Sequence, residues 1–215
     1  MKCIKPITII GLTLILFSSS CAKVFYSPDA RTLADKQQII AIIPPTISIA
    51  ANRRIEAEAM IEQQRTESLN FQNEIYSWML RRKMQGRITK EIQEVETTNA
   101  LLQQAGYPEK RMTTSELCEV LGVDGVMSSN FGLSKPMSDG AAVALGVLVG
   151  AWGSTNEVRA TISISDCENK KLIWNYEHKL SGGLGSSPSR IVDQLMRRAS
   201  RRMPYISNSR NTSYL

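Results

Sequence analysis

The sequence predicts an α/β fold: a mixed β-sheet with helices packed on it, preceded by a signal peptide and a tether. Three observations predict it. An isoleucine-rich run, IIAII, closed by Pro44 and Pro45, has the composition of a buried strand. Residues 52–83 contain no Gly or Pro and are rich in Glu, Gln, Arg, Ala and Met, as a long helix requires. Two alternating stretches, EVRATISISD and KLIWNYEHKL, flank a polar turn and read as a β-hairpin.

At 215 residues the chain suits one well-cored domain with extensions, placed here at residues 38–206. Residues 21–37 lack periodicity and read as a tether. In the long helix, Phe71, Ile75, Trp78 and Met79 recur at helical spacing and form a core-facing stripe. Gly86 ends that helix, and ITKEIQEV alternates as a short strand. TTNALLQQAGY then reads as a short helix with Thr97 or Thr98 as its cap. Thr113 and Glu116 stand at capping-box spacing before Leu117, Val120 and Leu121, with Gly122 as the stop, and residues 123–131 follow as a strand. In the hairpin, Val158, Ala160, Ile162 and Ile164 share one face, as do Leu172, Trp174, Tyr176, His178 and Leu180. Residues 182–188 read as a flexible break, and Pro188 opens a final helix packed by Val192, Leu195, Ala199 and Met203 and stopped by Pro204. Residues 207–215 read as a disordered tail.

The amino-terminal residues 1–20 have a secretory layout: Lys2 and Lys5, then an apolar run of about a dozen residues, then Ser18 to Ser20. That run is shorter than the roughly 20 residues a membrane-spanning helix needs. Small residues immediately before Cys21 resemble the lipobox of bacterial lipoproteins, although Ser18 stands where Leu is usual. The resemblance implies that Cys21 accepts a diacylglycerol and becomes the first residue after cleavage. Ala22, rather than Asp, follows it, which by analogy with enteric bacteria implies the outer membrane, facing the periplasm. Loss of Lys2 and Lys5 lowers the formal charge from +6 to +4, too mild a balance for nucleic-acid binding. An oxidising compartment permits a bridge between Cys118 and Cys167; sequence leaves their separation open, and two separate buried thiols is the simpler expectation.

Taken together, IIAIIPP, ELCEVLGVDGVMSSN and ISISDCENKKLIWNYEH resemble the first strand, the helix into strand and the hairpin of a periplasmic lipoprotein superfamily. It includes the curli-secretion pore lipoprotein and the activator lipoprotein of a penicillin-binding peptidoglycan synthase. More narrowly, FQNEIYSWMLRR, TNALLQQAG, LSKPMSDGAAVALG and IWNYEHKLSGGLGSSP resemble an uncharacterised lipoprotein family of Bacteroidetes-type bacteria. The resemblance implies a lipid-anchored accessory protein that docks another envelope component, or a ring or plug at the outer membrane. The chain departs from the pore pattern, because a barrel strand needs about ten alternating residues and residues 140–153, GAAVALGVLVGAWG, are apolar at consecutive positions.

That apolar segment is either tucked under the sheet or exposed to a partner, lipid or a second copy, with Val147, Leu148 and Trp152 as its contact candidates. Arg197, Arg198, Arg201 and Arg202 form paired basic steps on the last helix, either a solvated face or a contact for anionic headgroups or an acidic partner. Catalytic signals are weak. There is no nucleophile elbow, phosphate loop, zinc spacing or carboxylate pair, and the single histidine, His178, reads as structural or exposed. No enzymatic activity, metal or cofactor is expected. The least favoured reading, a hydrolase, would draw on Asp124, Asp166 and His178.

Overall fold

The computed structural model describes residues 22–50, 57–134, 156–182 and 187–206. Seven strands and five helices lie among them: β1 (Lys23–Tyr26), α1 (Ala30–Lys36), β2 (Ile39–Ile42), β3 (Thr46–Ile49), α2 (Ala57–Met84), β4 (Glu91–Ile92), α3 (Val95–Gln104), α4 (Thr114–Leu121), β5 (Gly125–Leu133), β6 (Asn156–Asp166), β7 (Lys171–Gly182) and α5 (Pro188–Ala199). The sheet runs β1-β7-β6-β5-β2-β4, with β3 also against β5. β4, β2, β3 and β5 run parallel to one another, while β5, β6, β7 and β1 alternate in direction, so the sheet is mixed.

The alternating stretches pair as expected, from Val158 opposite Leu180 to Ile164 opposite Trp174. A register shift after Ile164 changes one assignment. Ser165 faces Leu172, so Ile173 is the extra residue of a bulge; it turns inward with Trp174, and Leu172 is left 41% exposed.

The isoleucine run does not end at the prolines. β2 pairs with Gly125 to Met127 and β3 resumes the same line along Asn130 to Leu133. Pro44 and Pro45 have no N–H to give and interrupt the ladder. Side chains of α2 satisfy the carbonyls around the break: Ser68 Oγ donates to Pro45 O at 2.6 Å and Gln72 Nε2 to Ile42 O at 2.8 Å.

Residues 23–36 are not a tether. β1 pairs with β7, and α1 buries Ala30, Leu33 and Ala34 in the main core. The strand read from ITKEIQEV shrinks to β4, and the helix after it starts at Val95, ahead of both threonines. β5 is shifted two residues along from the predicted strand.

Two cores result. The larger lies between one sheet face and α1, α2 and α5, and includes Phe71, Ile75, Trp78 and Met79 from α2 as expected. Phe71 meets Phe131 with ring centroids 4.3 Å apart. The smaller lies under α3 and α4 on the opposite face and includes Ala41, Leu102, Leu117 and Val126. α4 carries the predicted capping box, Thr113 with Glu116, and ends at Gly122, whose φ of 62° suits a residue without a Cβ. Against the simpler expectation, Cys118 and Cys167 form a disulfide, with alpha carbons 5.5 Å apart, tying α4 to the β6–β7 turn. No helix among the described residues is long and apolar enough to cross a membrane.

Candidate functional site

The sequence-predicted candidates divide into two groups. Cys21, Val147, Leu148 and Trp152 lie outside the described residues, as do most of the break at 182–188 and the tail at 207–215. The four arginines lie at the end of α5 and in the turn beyond it, all exposed.

The strand-start end of the sheet gathers Asp124 and Asp166 around a shallow cavity of ≈ 290 Å³ with Lys36 and Gln37. Its carboxylates are engaged in structure. Asp124 Oδ2 accepts from the backbone N–H of Gln38 at 2.8 Å and of Ile39 at 3.0 Å, fixing the start of β2. Asp166 accepts from Gln37 Nε2 at 2.8 Å and from both Asn169 nitrogens at 2.8 Å. Burial pushes the Asp166 carboxyl up, but these donors outweigh it and hold the group below its ordinary value. Tyr205 donates its hydroxyl to Gln37 Oε1, and burial, with Asp166 and Asp124 nearby, pushes the phenol upward so that it stays a donor.

His178 is elsewhere. It pairs across the ladder with Ala160, six residues along β6 from Asp166, which at about 3.3 Å per residue is roughly 20 Å away. The hydrolase constellation is therefore not assembled. Among the described residues no group of three metal-ligating side chains could hold an ion.

The imidazole is buried, 4% exposed, against Tyr176 on one side and Arg198 on the other. An arginine can only donate, so Nε2 must accept from the guanidinium and the ring is neutral. Burial first, and the Arg198 charge second, push its pKa down. The unfolded chain takes up a proton near pH 6.5 while the folded one resists, so stability is full above that pH and falls below it. Urea titrations from pH 8 to pH 5 should show unfolding free energy dropping below pH 6.5, with a slope for this one group of no more than about 1.4 kcal/mol per pH unit. His178→Gln should flatten that slope, and an unchanged slope would refute the assignment.

Arg198 belongs to a wider basic strip. Arg197 pairs with Asp193 at 2.7 Å. Across the helix pair, Arg82 of α2 lies with its guanidinium carbon 4.6 Å from the Trp78 ring centre. Burial, Arg87, Arg197 and Arg81 push its pKa down, with Asp193 opposing. Positive charge thus outweighs negative along the α2–α5 surface.

Sequence reasoning missed a second surface. Among the described residues, the face opposite the main core is covered by α3 and α4 only over β2, β4 and the start of β5. Strand alternation leaves Thr46, Ser48, Ser128, Asn130, Thr161, Ser163 and Asn175 on the uncovered part, each exposed or half-buried, with Glu177 and Lys23 opposite each other beside Thr161 and Phe25 beside Asn175 toward the β1 edge. Asn175 Nδ2 donates to Ser163 Oγ at 2.9 Å across this face. At its margin Glu157 bridges Lys179 at 2.6 Å and Arg159 at 3.4 Å. The polar half of the alternation was the available signal, because a strand with one small polar face has one side without a helix.

No family profile matches the chain, and neither does any curated protein sequence. Among solved structures the chain is similar to lipoprotein GNA1162 from Neisseria meningitidis, at 14% identity and a TM-score of 0.44, covering 77% of this chain and 96% of that one. It is similar to the PelC dodecamer from Paraburkholderia phytofirmans at 11% identity and a TM-score of 0.39, covering 87% and 98%. It is also similar to the LpoB C-terminal domain from Salmonella enterica at 11% identity and a TM-score of 0.33, covering 70% and 94%. At such identities and TM-scores these are likenesses of shape, and no function passes from them to this chain.

Proposed function

We propose that this protein is a non-catalytic accessory component of the bacterial cell envelope, acylated at Cys21 and held at the outer membrane facing the periplasm. There it docks another envelope protein through the uncovered sheet face. The observation that carries the reading is that face: Ser, Thr and Asn side chains over β3, β5 and β6, with charged residues (Glu157, Arg159, Glu177, Lys179) toward β7 and the strand ends. Protein interfaces share this arrangement, in which charge is depleted at the centre and tolerated at the rim.

Photo-crosslinking residues placed at Ser48, Asn130 or Ser163 in intact cells should capture a second envelope protein, while one at Asn73, exposed on α2, should not. Capture of the chain by itself would favour the ring or plug instead. Equal capture from Asn73 would remove the face from consideration. For the anchor, Cys21→Ser should abolish acyl labelling and release the protein from the membrane fraction; retained labelling would refute acylation at that residue.

A further inference from the structure

We propose that the edge of the domain formed by β1 and the end of α5 lies directly against an anionic bilayer surface, a reading that rests on the acyl anchor proposed above. Three observations meet at this edge. First, the sheet starts at Lys23, so Ala22 alone separates Cys21 from folded structure. Two Cα steps reach about 7 Å, against more than 50 Å for a seventeen-residue tether. A domain held on so short a link cannot stand clear of the headgroups.

Second, the strand nearest that link exposes one aromatic side chain on each side of the sheet edge: Phe25, 49% exposed, beside Asn175, and Tyr26, 40% exposed, on the side of α5. Such rings, apolar in body and beside polar groups, are placed favourably at the level of lipid headgroups. Third, the Tyr26 hydroxyl donates to the Arg202 carbonyl, stitching β1 to the arginine strip. Of the four arginines there, Arg197 has a carboxylate partner in Asp193, and Arg198 meets a neutral imidazole, with no carboxylate among the described residues paired to it. Arg201 and Arg202 stand exposed beside them. Phosphate-bearing lipid supplies the missing negative charge, and each arginine near such a surface contributes about a fivefold gain in partitioning.

The strip is tested without the acyl chain. The mature chain, residues 21–215 carrying Cys21→Ser, is sedimented with vesicles of mixed phosphatidylglycerol and phosphatidylcholine, or of phosphatidylcholine alone. Binding should require the anionic lipid and weaken as salt is raised. Arg201→Ala with Arg202→Ala should lower partitioning about thirtyfold, whereas Arg201→Lys with Arg202→Lys should retain most of it. Phe25→Ser should lower it further, with circular dichroism confirming that each variant is folded. Equal binding to both vesicle types, or unchanged binding of the alanine pair, overturns the proposal. Acyl labelling of the wild-type chain separates the two readings. Labelling without anionic-lipid binding leaves the anchor and removes the edge contact; lipid binding without labelling supports the contact and removes the anchor.

Discussion

Reducing the Cys118–Cys167 bridge should lower the unfolding free energy by about 4 kcal/mol, the loop-closure value for a cross-link spanning 49 residues. Most of that effect resides in the unfolded chain, which the bridge prevents from expanding. A smaller part is local. Cys118 is 8% exposed within the small core beside Leu117, Leu121 and Val126, so replacing it with alanine also removes packing. Denaturant titrations with and without reductant, together with Cys118→Ala/Cys167→Ala, should place the reduced wild type and the double variant close together. Both should show a steeper denaturant dependence, because their unfolded states expose more surface. Coincident midpoints for oxidised and reduced protein would show that the bridge constrains nothing. The bond also bears on compartment, since such a cross-link persists where thiols are not kept reduced.

Gly125→Ala should cost about 4 kcal/mol, far more than one methyl group usually does. A Cβ at this position would sit 2.5 Å from Gln37 Oε1 and 2.7 Å from the Tyr205 hydroxyl. Those two groups are bonded to each other, and Gln37 also supplies a hydrogen bond to Asp166. All three residues are at most 4% exposed, so nothing can swing into solvent without unpacking its neighbours. Overpacking contributes about 1–3 kcal/mol and stranding a buried polar group about 1–3 more. Thermal and urea denaturation measure the loss. Adding Gln37→Ala removes the closest clashing atoms, so the double variant should be more stable than the sum of the singles predicts. A Gly125→Ala protein within about 0.5 kcal/mol of wild type would refute the crowding.

What could be read from residue order was whatever repeats locally. The α2 stripe from Phe71 to Met79, the Thr113–Glu116 box with Gly122, and the alternation of β6 and β7 are signals that neighbouring residues send about one another. What failed depends on residues far apart. KVFY carries no period of its own and is a strand because β7 offers it an edge. β3 is a strand because β5 continues past the prolines. Leu172 was misassigned because a single bulged residue inverts the pleat beyond it. The same limit applied to the candidate surfaces. The arginine pairs were visible as composition, but their uncompensated charge appeared only when His178, Asp193 and Tyr26 were seen around them. The polar sheet face was present in the sequence as the overlooked half of each alternation.

The sheet order also sets a timetable. Among the described strands β1 is the first made, yet its partner β7 is the last, and the Tyr205–Gln37 bond joins residues 168 apart. A growing chain cannot complete either contact until nearly all of it has been synthesised. Long-range closures of this kind are slow, because the whole intervening chain must be ordered before they return any stabilisation. Until β7 emerges, the amino-terminal strand remains unpaired and the chain can still be threaded through a narrow channel. If the chain is exported, as the proposed envelope role requires, late closure keeps the polypeptide open for passage and defers folding to its destination.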